Sequence, residues 1–507
     1  MFIDSNTQLS DNTFSADVCI IGSGPAGLSL ARTLIEFNKT VVFIERGGHT
    51  AAKPSARDVI FKNHAYDGIQ NGLAFGYGGT GSLWGGQLIP MLDDELAQLG
   101  TPWSSAEFIE TLRKHTEVIE NWVGVSSATY FQSLLSLINH ESITLRWNEF
   151  FPIFSKWIPF RQRNLGSAWA KHFQNSKLVK ILLNTQPISC EFTNDTDKTI
   201  KTIICQNDNG NDLKVNATYF VVAAGALESP LVLQKLLGEK HSETLGIGHY
   251  LHDHLSLRIA ELTNYSRNEF EQLFSQFFTG STMRSLRLCL PIGDNIPSYC
   301  HFVIEAPENS GFALARDFLR GLQAKNYLTA FKSLFMLPMA FGDITRMLWI
   351  RYFKNRLALS KNSRIYINFD FVKQPSIKDS IYFNKDKIVI NWNIDEDLVN
   401  FTHLAFSACN RFWSENGLHN LGTLEQIHLN ANQANNIDNI YDIYHPAGTC
   451  ATGRVVDSEF KIFGTTNCFV AGSSIFPLLG RSNPTLTIMA LSRQLGFTLA
   501  KLLNTSN

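Results

Sequence analysis

DVCIIGSGPAGLSLARTLIEFNKTVVFIERGG, residues 17–48, decides the fold. Val18–Ile21 is an apolar run of the kind that a parallel strand covered on both faces needs. Three glycines follow as Gly22-x-Gly24-x-x-Gly27, and Ala26, Leu30, Leu34 and Phe37 then recur at helical spacing. A second apolar run, Thr40–Ile44, ends in Glu45. Strand, glycine turn, helix, strand and acid in this order form the fingerprint of a dinucleotide-binding unit. Gly22, Gly24 and Gly27 let backbone approach a pyrophosphate at a helix N-terminus, whose free N–H groups favour negative charge. Glu45 stands where a carboxylate accepts from ribose hydroxyls and repels a 2′-phosphate, which disfavours NADP. FAD and NAD both remain open at this point.

The chain around this unit has 507 residues, enough for two to four domains or one large core of interleaved segments. Charged residues make up 18%, below the roughly 25% of an average soluble domain, which fits a large interior. Lys plus Arg (44) balances Asp plus Glu (45), which argues against nucleic acid as a partner. The eight cysteines are scattered without a C-x-x-C pair, so neither a metal site nor a disulfide framework is expected. The N-terminus shows no basic and apolar leader pattern, and no run of eighteen apolar residues occurs. A cytoplasmic protein is expected on these grounds.

Two further segments carry glycine with apolar residues. FGYGGTGSLWGGQ (75–87) sets Phe75, Leu83 and Trp84 among six glycines, a composition that suits backbone packed on a large flat ligand better than a solvated linker. YFVVAAGALESPLVLQ (219–234) holds a short apolar strand, Phe220–Ala223, that ends in Ala224-Gly225 and returns to the first sheet. Near the C-terminus, Asn467–Ala471 reads as another strand, Gly472-Ser473 as a turn and Pro484–Leu499 as a helix with proline in its first turn.

Together with YHPAGTC (444–450) and IGHYLHDH (247–254), these segments resemble the glucose–methanol–choline (GMC) family of FAD oxidoreductases. The SNPTLTIMALS ending is most similar to the branch of pyranose oxidases and bacterial sugar dehydrogenases. The resemblance implies an α/β protein: a Rossmann-like FAD-binding domain and a discontinuous α+β substrate domain built on a large antiparallel sheet. It places residues 1–95, 180–255 and 440–507 in the first domain and 96–179 and 256–439 in the second. It implies an oxidase or dehydrogenase acting on a CH–OH group of a sugar, glycoside or polyol, with oxygen, a quinone or another acceptor.

By the same resemblance His445 is the base that takes the substrate hydroxyl proton, and Asn483 its partner, with helix capping as a rival role. Gly79, Thr80, Gly225, Gly472 and Ser473 are implied to approach FAD, beside Gly22, Gly24, Gly27 and Glu45. No histidine lies in 75–87, so noncovalent FAD is expected. Two departures stand out. Trp84 occupies the place of an asparagine that meets the flavin in many relatives. Pro187 occupies the place of a valine whose backbone reads adenine, so either the match slips by one residue or that contact is half lost. Non-redox lyase chemistry of the same family and a non-catalytic flavoprotein are the alternative functions.

SLRLCL (285–290), YCHFVIEA (299–306), RIYINFDF (364–371) and DKIVINW (386–392) alternate as strands of the substrate sheet, and Gln374 is a candidate substrate contact. The window 321–360 carries six Lys/Arg against one acid and three methionines. A helical lid with a methionine-rich face over the active site is expected there, with docking on anionic lipid or a partner as the alternative.

Overall fold

The computed structural model describes residues 1–4, 12–55, 57–125, 129–138, 144–194, 198–291, 297–323, 326–385, 387–394, 398–427 and 440–505. Asp386, the first residue of DKIVINW, lies outside them.

The fingerprint strand Thr13–Ile21 lies inside an eight-stranded sheet, paired in parallel with Val41–Ile44 on one side and Asp212–Val222 on the other. Val179–Leu182 and Phe2–Ile3 extend the parallel side. Asp212–Val222 serves two partners in succession. Its first half pairs antiparallel with Thr199–Asn207, and its last residues pair in parallel with Cys468–Val470. The C-terminal strand anticipated at 467–471 thus sits beside the strand anticipated at 220–223. Val18, Cys19, Ile20 and Phe220–Val222 are fully buried, as strands covered on both faces require. The covering helices include Pro25–Glu36 and the C-terminal helix Thr485–Thr505, packed on each other.

The second sheet has nine strands. His254–Thr263, Arg364–Val372, Ser298–Glu305, Thr282–Cys289, Phe151–Trp157 and Gln87–Leu88 follow one another, every pairing antiparallel. Register then sorts the side chains, because residues directly opposite share a face and the face alternates along each strand. Leu255, Leu257, Phe369, Phe371, Cys300, Leu288 and Phe154 enter one hydrophobic core. The alternate positions include the polar His254, Ser256, Asp370, Asn368, Tyr299, His301, Arg287, Ser285 and Ser155, beside the apolar Val372, Cys289 and Ile153.

Three of the four strand segments read from the sequence belong to this sheet. The fourth, Lys387–Trp392, instead forms a three-stranded sheet with Ser380–Asn384 and, in parallel, Val59–Asn63. Alternation marked it as a strand, but alternation does not choose partners.

The lid expectation also changes. Residues 311–353 form the helices Gly311–Gln323, Tyr327–Met336 and Phe341–Phe353, joined between the last two by the turn Leu337–Ala340. Met339 is 80% exposed, and no residue of these helices lines the central cavity.

The glycines of the fingerprint have separate duties. A Cβ on Gly27 would sit 2.1 Å from the carbonyl oxygen of Gly22, so this residue sets how closely the helix approaches the strand. Gly22 has φ +102°, and a Cβ there would meet the Ala223 carbonyl oxygen at 2.6 Å. Gly27→Ala is accordingly expected to cost about 1–3 kcal/mol in denaturant unfolding. Wild-type stability in that variant would contradict this packing.

Candidate active site

A cavity of about 550 Å³ runs from the fingerprint loop to the HPAGT turn. Gly22, Gly24, Glu45, Gly79, Thr80, Gly225, Gly472, Ser473 and His445 all line it, so most of the residues expected from sequence converge. Gly27 lies behind the lining, in the packing role described above.

The shape of this cavity fits a dinucleotide. A Cβ on Gly24 or Gly225 would meet nothing within 4 Å, and one on Gly472 nothing nearer than 3.9 Å. Three glycines from three βα turns therefore leave an open cradle where the helices Pro25–Glu36 and Gly225–Leu237 begin. Backbone N–H groups at such helix starts favour phosphate oxygens.

Glu45 differs from its expected role. Its carboxylate already accepts from Ser23 N (2.9 Å), Ser23 Oγ (2.7 Å), Gly47 N (3.0 Å) and Gly76 N (2.9 Å). It ties the fingerprint loop to the glycine-rich segment, and a ribose hydroxyl there would share an oxygen with these donors. Gly79 packs on the fingerprint loop itself, with a notional Cβ 3.0 Å from Gly24 Cα. Arg46 and Arg57, absent from the sequence reading, also line the cavity, and both pair with Glu228.

At the other end the geometry is set by a buried carboxylate. Asp253 Oδ1 accepts from the backbone N–H of His254 and of His445, each at 2.7 Å, and its Oδ2 accepts from Tyr66 OH at 2.5 Å. The two imidazoles are thereby brought together, Nδ1 to Nδ1, at 3.2 Å. His254 Nε2 lies 2.7 Å from the carbonyl oxygen of Gly480. A carbonyl only accepts, so Nε2 of His254 carries the proton and its Nδ1 offers a lone pair. His445 Nδ1 must then donate to it, which leaves His445 Nε2 as a free lone pair on a residue that lines the cavity. No partner for that nitrogen occurs among the described residues.

Electrostatics keep both rings neutral. Burial, then the neighbouring His254 and Arg287, hold His445 well below the usual histidine range. His254 is pushed down to about 4, mainly by burial. The side chains of Asp253, His254 and His445 have the chemistry of metal ligands and lie close together, but their facing atoms are engaged in the hydrogen bonds just described.

The turn that carries His445 is fixed from below. Ser473 Oγ donates to the Pro446 carbonyl (2.6 Å), and Ala447 and His252 exchange backbone hydrogen bonds. A Cβ on Gly448 would meet His252 Nδ1 at 2.4 Å, which explains the glycine of HPAGT. Gly480 is held in turn by Glu95, whose Oε1 accepts from Arg481 N at 2.6 Å.

Asn483 does not cap the helix that follows it. Its Oδ1 accepts from Arg287 (2.7 Å), and its Nδ2 reaches Gln87 Oε1 only at 3.4 Å. Arg287 also donates to Gln87 Oε1 and to the Arg481 carbonyl, and it stacks on Tyr299. It is 4% exposed and forms no ion pair with a carboxylate among the described residues. Sequence reading missed Asp253, His254 and Arg287. The first two stood in the quoted HYLHDH stretch, and Arg287 was detectable only as a charge within the apolar alternation of SLRLCL.

Two other expectations need correction, and a third is placed. Gln374 is exposed and off the cavity, because the strand ends at Val372 and the chain turns outward. Trp84 does not line the cavity; its indole N–H donates to the Arg163 carbonyl. Pro187 does line it, on the edge strand Thr185–Asn194, opposite Cys205 of the neighbouring strand.

Comparison with known proteins agrees with this arrangement. Residues 377–492 match the family model described as GMC oxidoreductase, and residues 15–65 match an FAD binding domain. Across 49 residues the chain is 39% identical to the Neither inactivation nor afterpotential protein G of Drosophila melanogaster. That stretch is 10% of this chain and 8% of the fly protein. The fold is shared with pyridoxine 4-oxidase from Mesorbium loti at TM-score 0.61 and 15% identity, covering 95% of this chain and 98% of that one. It is shared with the formate oxidase of Aspergillus oryzae RIB40 at TM-score 0.60 and 15% identity, over 97% and 99% of the two chains. A fungal aryl-alcohol oxidase gives TM-score 0.56 at 14% identity, over 96% and 99%. The two family models fall on the cradle and on the turn that carries His445, the two ends of one cavity. At both ends of the cavity the chain thus carries segments similar to GMC oxidoreductases and to FAD binding domains.

Proposed function

We propose that the protein oxidises a hydroxyl-bearing carbon of a sugar, glycoside or polyol, with His445 as the base. The observation that carries this reading is the free Nε2 of His445, a neutral imidazole whose tautomer is fixed through His254 by the Gly480 carbonyl. Such a nitrogen accepts a hydroxyl proton without first losing one of its own. FAD, noncovalently held in the glycine cradle, supplies the acceptor for the hydride that leaves the same carbon.

Asn483 does not itself line the cavity, as the next residue Pro484 does, and is proposed as the second catalytic group. Arg287 engages its Oδ1 and so leaves Nδ2 as the end that donates to the developing alkoxide oxygen. Arg287 acts as a positioning residue and as a source of positive potential beside both histidines. On the polar face of the nine-stranded sheet the side chains bond to one another, outside the lining of the cavity. Ser256, Tyr299 and His301 converge there on Asp370, whose carboxyl burial would raise but whose three donors hold low. Gln87, Ser155 and Ser285 form a second hydrogen-bonded group on the same face.

Anaerobic mixing of the yellow protein with a panel of sugars and polyols is expected to bleach the flavin. His445→Ala should slow bleaching by about 10²–10⁴-fold with flavin content unchanged. A variant that reduces at the wild-type rate removes His445 from the reaction, and a yellow protein that no hydroxy compound bleaches favours the lyase.

The pH dependence follows from the neutral imidazole. Because His445 titrates well below 6.5, its base form is present throughout the neutral range, and the rate of reduction should be flat between about pH 6 and 8. Arg287→Met removes a charge that lowers this pKa, so the acid limb should move up toward neutrality. An unmoved limb would contradict the electrostatic role.

The attachment of FAD has its own check. Neither a cysteine nor a histidine other than His445 lines the cavity among the described residues. Acid precipitation should therefore release all the flavin into the supernatant, and colour retained in the pellet would overturn noncovalent binding.

A further inference from the structure

The helices between Gly311 and Phe353 are amphipathic in the wrong sense for a domain surface. A surface helix normally turns its apolar stripe to the core. On Tyr327–Met336 the inward positions are small, Ala330 and Ser333, and Gly321 of the preceding helix allows close approach, a Cβ there falling 2.8 Å from Ala330 N. The outward positions are large and apolar. Leu328 is 82% exposed, Phe331 70% and Phe335 77%. Their spacing of three and four residues makes one stripe, which Met339 and Phe341 continue through the turn. On Phe341–Phe353 the pattern repeats: Ile350 is buried while Leu348, Trp349, Tyr352 and Phe353 face outward, Trp349 stacked on Phe353 at 4.0 Å.

An apolar patch of this extent marks an interaction surface rather than ordinary exposure. Its charge chooses the partner. Lys332 and Lys354 are exposed on the same two helices, with no ion pair among the described residues. Asp343, the one acid of Tyr327–Phe353, is turned inward, accepting from Gly311 N at 3.0 Å and lying 3.5 Å from Arg267, while Asp317 on the preceding helix pairs with its neighbour Arg316. On these last two helices, aromatic rings bordered by unpaired lysines, without an outward carboxylate, complement the interface of an anionic bilayer, where rings enter the headgroup layer and lysines reach the phosphates. The helices are ten and thirteen residues long, whereas a spanning helix needs about twenty, so they would lie in the interface plane. No helix among the described residues is long and apolar enough to cross a membrane.

We infer that this helical excursion docks the protein on an anionic phospholipid surface. Flotation of the purified holoprotein with phosphatidylcholine vesicles, with and without about one third phosphatidylglycerol, tests it. The protein should float with the anionic vesicles. Leu328→Ser/Phe331→Ser/Phe335→Ser should abolish flotation while flavin content and melting temperature stay at wild-type values, since these side chains support neither. Lys332→Gln/Lys354→Gln should weaken binding by roughly 30-fold, taking about 1 kcal/mol for each lysine at the surface. Absence of flotation with either vesicle would overturn the inference. So would a dimer in solution that the serine variant dissolves, because a second copy would then cover the patch.

Discussion

The hydrogen bonds to one oxygen, Oδ1 of Asp253, organise the reacting end of the molecule. The N–H groups that reach it come from residues 191 positions apart, His254 and His445, on different parts of the fold. One acceptor shared by two backbone N–H groups fixes two segments of chain against each other, and burial, with Asp442 nearby, pushes its carboxyl well above the usual carboxylate range. The imidazole contact then follows from backbone placement. Its direction follows from the Gly480 carbonyl, which in turn depends on Glu95 holding the Gly480-Arg481 turn. A chain of acceptors thus ends in one unengaged lone pair facing the cavity.

The same economy operates at the cofactor end. Glu45 holds the fingerprint loop, Gly47 and Gly76 with four hydrogen bonds, so the walls of the cradle are rigid before any ligand arrives. Glycine then serves two opposite purposes within ten residues of sequence. At Gly27 it removes a side chain to let backbone touch backbone, and at Gly24 it removes one to leave room. Preformed donors and space of this kind reduce the ordering cost of binding a large dinucleotide.

Much of this was legible in the sequence, for local reasons. The fingerprint unit is contiguous, and its glycines and strands carry their meaning within thirty-two residues. His445 was legible through its motif. What escaped depends on long-range register. Arg287 reaches Asn483 only because its strand pairs with Phe151–Trp157 and faces the side opposite the core. Lys387–Trp392 was read as a strand and assigned to the wrong sheet, since alternation specifies a face and not a neighbour. Gln374 failed because the strand ends two residues before it. The helices at 311–353 drew attention through charge and methionine, but which way their large side chains point could be decided only in three dimensions.

The reacting end of the molecule depends on a protonation pattern, and nitrogen NMR of the holoprotein labelled at histidine tests it directly. A proton is expected on Nε2 of His254 and on Nδ1 of His445, both rings staying neutral from about pH 8 down to about pH 6. A His445 that carries its proton on Nε2, or that titrates near 6.5 like a solvated histidine, would contradict it.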